Sequence, residues 1–297
     1  ADILNDLALL LELLSPLFPS FFLLIVCFAS TARSIVGVAG GASRAAITQH
    51  QARKNNLGDV SAKDGSQETA VALTGMILGI IITPWIQGSA VLTWSLFFIF
   101  TFLHLFANYN AVTSIEFDTM NQQRASIAIS SFLDDQTRVL TPHEVAEKER
   151  ILTWKHQPVK LIFGGQISNL QSGLATKQFI SMLKKVGGQH NYVVTFCNNT
   201  VVAVFHQKAT PLDTLKAFFQ SEIINHYVSS RLQVPKIAGI GGSTQREDVI
   251  LAASYEFVEQ HFANFVGLCG IAGWNIEMNL LGLSEWRATW QLSLHKE

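Results

Sequence analysis

The sequence predicts a membrane α-helical region (an amphipathic helix, one span and a helical hairpin) followed by a small soluble α+β domain. Three observations predict it. Residues 17–32 and 69–115 contain no Asp, Glu, Lys or Arg. Only 14% of the chain is charged and the mean hydropathy is +0.27, apolar for a wholly soluble protein. After Asn108 the composition changes to that of an ordinary globular domain, with β-rich runs and proline-started helices. The expected division is 1–115 for the membrane region, 116–150 for a helical linker and 151–297 for the α+β domain.

The first element is amphipathic. Ile3, Leu4, Leu7, Leu10, Leu11 and Leu14 recur at spacings of three and four, interrupted by Asp2, Asp6 and Glu12, so one helical face is apolar. This helix is expected on a membrane surface or against a partner. Ser15-Pro16 and Pro19 break it, and Leu17 to Ala32 then supplies a span, somewhat short of the roughly 20 residues a bilayer needs but extended by the uncharged Ser34 to Ser43. The small residues from Gly37 to Ala46 let another helix approach closely, either within the chain or from a second copy. Arg44, His50, Arg53 and Lys54 follow, a basic cluster suited to anionic headgroups or a phosphate, or to a cytoplasmic flank.

Residues 70–83 and 90–107 form the hairpin, with Pro84, Trp85, Gly88 and Ser89 at its tip. Basic residues outnumber acidic ones between the span and the hairpin. By the positive-inside rule this places the intervening stretch and everything after Asn108 in the cytoplasm. His104, near the end of the hairpin, reads as a core or interface histidine rather than a proton relay.

In the C-terminal part, Thr141-Pro142-His143-Glu144 and Thr210-Pro211-Leu212-Asp213 each place a hydroxyl cap, a proline and an acid at helix-start spacing. Residues 192–197 and 200–205 are β-rich and joined by Asn198-Asn199, a hairpin turn. Helices are expected at 212–230 and 247–264, the latter capped by Thr244 and Glu247, and a final strand at 286–292. The glycine run from Gly239 to Gly242 follows Val234-Pro235 rather than a strand and reads as a flexible linker, not a phosphate cradle.

A net charge of −1 gives no basic field, so nucleic acid is not an expected partner. Cys27, Cys197 and Cys269 have neither disulfide-framework nor zinc-site spacing. No metal ligation or familiar catalytic motif is visible, and an enzyme is the less favoured reading. The first residue is not Met and the chain opens inside an amphipathic pattern, so a true N-terminus upstream is expected.

The stretch 55–69 carries the chemistry. Asp59, Ser61, Lys63, Asp64, Ser66, Gln67 and Glu68 stand directly before the uncharged run that starts at Thr69. Polar groups beside hydrocarbon are costly unless they pair or face water, which makes them candidates for ligand binding. On a helix Lys63 and Gln67 share one face and Asp64 and Glu68 another, and Lys63 and Asp64 are expected to pair.

The order Asp59 to Thr69, with Val38-Ala39-Gly40-Gly41-Ala42-Ser43-Arg44 before it, Ala107-Asn108-Tyr109 after it and Glu285-Trp286-Arg287-Ala288-Thr289-Trp290 near the end, resembles the root UV-B sensitive (RUS) family, and its animal branch most. The resemblance extends over nearly the whole chain, without the family's usual hydrophobic N-terminal portion. It implies a membrane protein of no settled molecular activity, associated in plants with UV-B sensitivity, vitamin B6 homeostasis and auxin transport, and it transfers no catalytic residues.

Three readings stand at this level. The polar stretch lines a cavity that binds or moves a small polar metabolite or ion. Alternatively it caps a spanning helix, with Ser61 and Asp64 as the capping box, in a membrane-anchored scaffold whose cytosolic domain recruits partners. A minor third has Lys63 as a Schiff-base amine for pyridoxal phosphate, in an enzyme or carrier. Membrane lipid, a RUS partner or a second copy are the expected macromolecular contacts.

Overall fold

The computed structural model describes residues 1–150, 159–170, 173–186, 190–229, 232–233, 243–282, 284 and 286–290. The chain divides into two compact units, Ala1–Ile115 and Glu116–Glu297.

The first unit is helical. Helix α1 (Asp2–Leu14) ends at two short 3₁₀ turns, Ser15–Leu17 and Pro19–Phe21, each with proline at its start, where its missing N–H costs nothing. Helix α2 (Phe22–Gln51) runs unbroken through Gly37, Gly40 and Gly41. It is longer than the expected span because Ala, Arg, Thr and Gln of its second half continue the helix, and because glycine weakens a helix without terminating it. A short connector, in which Asn55 takes φ 54°, leads to α3 (Leu57–Ile86), and α4 (Ala90–Thr113) follows.

Two expectations need correction here. The stretch 55–69 is not a cap between elements, since α3 starts at Leu57. Ser61 and Asp64 therefore lie inside the helix and form no capping box. The hairpin arms are also longer than 70–83 and 90–107. Pro84 is accommodated in the last turn of α3, and the chain reverses only at 87–89, where Gly88 takes φ +94° and the Ser89 hydroxyl accepts from the Leu92 N–H. Residues 19–51, 57–86 and 90–113 are each long and apolar enough to cross a membrane. α3 and α4 have no buried residue, and Val71, Ile80, Phe98, Phe102 and Phe106 are exposed, so their apolar faces are not spent on a protein core.

The second unit is a layered α/β assembly. It contains β1 (Thr119–Met120), α5 (Gln122–Asp134), α6 (Pro142–Ala146), β2 (Lys160–Phe163), α7 (Gly173–Val186), β3 (Tyr192–Cys197), β4 (Thr200–Phe205), α8 (Pro211–Val228), α9 (Ser243–Ala272) and β5 (Asn275–Asn279). Strand β4 is central, parallel to β2 and antiparallel to β3, and β1 pairs in parallel with β5. Alternate residues of the sheet face opposite layers. Tyr192, Val194, Phe196, Val201, Ala203 and Phe205 join the core with α5, α8 and α9, while Val193, Cys197, Val202 and Val204 pack with Phe179 of α7. Burial on both faces explains why β3 and β4 read as continuous apolar runs rather than alternating ones. Residues 116–150, expected as a linker, supply Met120, Ala128, Ile129 and Phe132 to this core.

Local signals act as expected at several points. Thr141 with Glu144 and Thr210 with Asp213 form complete capping boxes, and Asn198 and Asn199 turn the hairpin with φ 51° and 54°. Gly164, at φ +67°, ends β2 where Ser284 packs so closely that a Cβ would lie 2.8 Å from the serine Cβ. The expected final strand reduces to a single bridge, Ala288 to His206, and residues 291–292 lie outside the described residues, as do the whole glycine run from Gly239 to Gly242 and the side chain of Thr244.

The free edge of β3 is closed by side chains. Tyr255 accepts from the Val194 N–H at 2.9 Å and donates to its carbonyl at 3.3 Å, Gln178 accepts from the Phe196 N–H at 3.2 Å, and Glu247 accepts from the Asn198 N–H at 2.8 Å. Burial pushes the Tyr255 hydroxyl well above its usual range, which keeps it protonated for this double role. An uncovered edge is a template for pairing with other chains. Tyr255→Phe leaves both Val194 groups without this partner and is expected to cost about 1–3 kcal/mol. Urea unfolding of the second unit's β signal measures it, and an unchanged midpoint would show the edge to be solvated.

Candidate polar site on the apolar helices

The site grows from two adjacent helices of the first unit. α2 and α3 pack against each other across the connector 52–56, and Arg44 and Asp64 are equidistant in sequence from Lys54. The Arg44 guanidinium donates from Nε to Asp64 Oδ2 at 2.6 Å and from Nη1 to Glu68 Oε2. Asp64 and Glu68 stand one turn apart on α3, so their mutual repulsion is relieved by one cation that bridges them. Gly65 lies between them, and a Cβ there would come within 4.0 Å of Arg44 Nη2. Behind Arg44, the buried Thr48 hydroxyl donates to the Arg44 carbonyl at 2.8 Å.

The other residues of the stretch do not join this triad. Asp59, Ser61, Lys63, Ser66 and Gln67 are exposed on α3, and the Ser66 hydroxyl donates to the Ala62 carbonyl of its own helix. The expected Lys63–Asp64 pair is corrected: neighbours on a helix point about 100° apart, and Asp64 turns to α2 and Arg44 instead. Of the basic cluster, Arg44 is spent on carboxylates, His50 is half-buried near the end of α2, and Arg53 and Lys54 are exposed on the connector. The four do not converge on one point through any hydrogen bond among the described residues.

Two further polar ties join the helices, and the sequence reading missed both. Arg33 of α2 pairs with Glu12 of α1. His104 Nδ1 of α4 lies 3.0 and 3.1 Å from the two carboxylate oxygens of Asp6 on α1, and Asp6 is only 8% exposed. Asp6 and Glu12 of α1 therefore meet the neighbouring helices, and His104 is an interface histidine. Only the equidistance of Arg44 and Asp64 from the connector was available to predict one of the three ties. The other two join residues whose separation follows no local spacing.

These features define a class: three helices long and apolar enough to cross a membrane, tied by paired charges, in a chain that also carries a compact α/β unit. Residues 1–136 match the family described as "Vitamin B6 photo-protection and homoeostasis domain", and residues 138–290 match "Root UVB sensitive protein, C-terminal". The chain belongs to the root UVB sensitive family. It is 30% identical to Protein root UVB sensitive 3 of Arabidopsis thaliana over 98% of this chain and 64% of that protein. It is 46% identical to RUS family member 1 of Dictyostelium discoideum over 51% of this chain and 29% of the relative. To Protein root UVB sensitive 2, chloroplastic, of Arabidopsis thaliana it is 23% identical over 95% of the chain and 62% of the relative. The chain thus spans less than two thirds of the length of these relatives. No solved structure matches it.

Removal of the bridging cation is expected to loosen α2 from α3. Spin labels at Ala46 and Ala62 should give a narrow distance distribution in the unsubstituted chain and a broader one in Arg44→Gln. Equal widths in pulsed electron paramagnetic resonance would mean that apolar packing alone sets the pair.

Proposed function

We propose that this is an integral membrane protein that binds or moves a small polar metabolite or ion at the site between α2 and α3. The observation that carries the reading is the convergence of Arg44, Asp64 and Glu68 from two helices at the edge of the uncharged run that begins at Thr69. Ionisable groups on helices of this kind are rare and costly, and they mark ligand or ion sites more often than other surface charges do. Movement of the ligand requires two arrangements of the helices, and a site shared between two of them is where such a change acts.

The exposed apolar faces of α3 and α4 support placement in a lipid bilayer, and the basic residues flanking the site support a cytoplasmic second unit. Gly37, Gly40 and Gly41, where an added Cβ would meet nothing within 4 Å, leave room for a helix of a second copy or of another family member. The family description supports a connection to vitamin B6 homeostasis. It does not favour Lys63 as a Schiff-base amine, because Lys63 is exposed and Asp64 bonds Arg44 rather than the lysine. The scaffold reading draws on Leu280, Met278 and Trp286, which expose apolar surface on the second unit as a partner-binding face would.

Native mass spectrometry of the chain in mild detergent tests the first reading. A small molecule retained by the unsubstituted protein and lost in Asp64→Asn is the expected result. Identical spectra, with or without a bound species, would favour the scaffold.

A further inference from the structure

We propose that the second unit binds one monovalent cation of about water's size, ammonium or potassium, in a cavity between α8 and the β2–β4 pair, through Glu222, Asn225 and Ser221. This site is independent of the one between α2 and α3.

The cavity lies where α8 packs on the sheet. Leu161 of β2 and Val201 of β4 are partners across the ladder, and with Val159 they form an apolar floor. Ser221, Glu222 and Asn225, within little more than one turn of α8, form the roof. Between floor and roof is about 10 Å³ of room for the centre of a water-sized body, enough for one. Glu222 is 3% exposed and Ser221 is buried with it, whereas Leu161 and Asn225 are half-buried and mark the side that opens outward.

The polar groups of this lining all accept. Asn225 Oδ1 is buried and has no hydrogen-bond partner among the described residues. Orphaned buried atoms of this kind are rare, and each calls for a partner. The Ser221 hydroxyl spends its hydrogen on the Ala217 carbonyl at 2.8 Å, so it has only lone pairs left to offer the cavity. The Glu222 carboxylate carries about four lone-pair sites, and the Ser126 hydroxyl of α5 takes one of them, at Oε2, from 3.2 Å. Among the described residues no Lys, Arg or His lines the cavity. His226, one turn further along α8, has its Nε2 3.3 Å from the Ser130 hydroxyl of α5.

A lining without donors selects its occupant. A water gives two hydrogens, and its own lone pairs then face acceptors alone. Ammonium has only donors to give, and potassium, of like size, meets oxygen from any direction. A carboxylate also bonds a charged donor about twice as strongly as a neutral one, which favours the cation over water. Divalent ions do not fit, because magnesium keeps several of its waters and calcium gathers about six to eight oxygens, and the cavity has room for neither.

Hydrogen exchange of the full chain in lipid nanodiscs, read by mass spectrometry at neutral pH and constant ionic strength, tests this site. N-methylglucamine chloride is replaced stepwise by ammonium or potassium chloride and, as a control, by tetramethylammonium chloride. Exchange over 217–228 and 200–205 should slow several-fold as ammonium or potassium rises, as it does for a ligand held by the folded state alone, and should ignore tetramethylammonium, which is too large to enter. The slowing should vanish in Asn225→Leu, which removes the orphaned acceptor and fills the room with methyl groups. It should vanish too in Glu222→Gln, which keeps an acceptor for Ser126 but brings in a donor. Asn225→Asp, nearly isosteric, should respond at lower cation concentration than the parent. A response that survives in both Asn225→Leu and Glu222→Gln, or that tetramethylammonium reproduces, would place the cation effect elsewhere and overturn the assignment. No response in the parent would overturn it as well and leave the cavity to a single water.

Discussion

The bridge from Arg44 to Asp64 and Glu68 is the interaction on which the polar character of the first unit depends. Charged groups on helices this apolar must be paired, hydrated or neutralised. α2 and α3 meet that demand by sharing a guanidinium between two carboxylates. The same solution recurs where α1 meets its neighbours, with Glu12 on Arg33 and Asp6 on His104. Removal of one partner of such a pair costs more than removal of both, because it leaves a lone charge against apolar side chains. The paired arrangement thus fixes which helix faces meet, while α3 and α4 keep their apolar faces outward.

The second unit answers a different constraint, the burial of a sheet on both faces. Once α7 covers one face and α5, α8 and α9 the other, every backbone group of the sheet needs a partner inside the protein. β4 finds its partners in β2 and β3. The outer edge of β3 finds them in Tyr255, Gln178 and Glu247, each from a different point on the surrounding helices. Gln178 also donates to Asp248 of α9, so the same residue links the edge to the helix that supplies Tyr255 and Glu247.

What was legible in the sequence was what local chemistry decides. Uncharged runs mark α3 and α4, leucine spacing marks α1, threonine with proline and an acid marks the starts of α6 and α8, and paired asparagines mark the β3–β4 turn. What was not legible depends on tertiary partners. The polar stretch read as a ligand site or as the cap of a spanning helix because its composition is polar, yet Ala62, Lys63, Gln67 and Glu68 are good helix formers and extend α3 towards its N-terminus. The candidate residues of the site were named in two separate groups, acids with Lys63 and bases with Arg44. The fold divides them differently, and joins Arg44 to Asp64 and Glu68. The pairs at Asp6 and Arg33 bridge separations that no helical or strand period encodes.

A charge exchange across α2 and α3 tests most directly whether this bridge organises the helices. Arg44→Glu alone places three carboxylates together and should lower the thermal midpoint of the chain in nanodiscs. Arg44→Glu combined with Glu68→Arg restores the opposite pairing and should recover most of the loss. A double variant as unstable as the single one, or a single variant indistinguishable from the parent, would contradict it and leave the helices held by apolar packing alone.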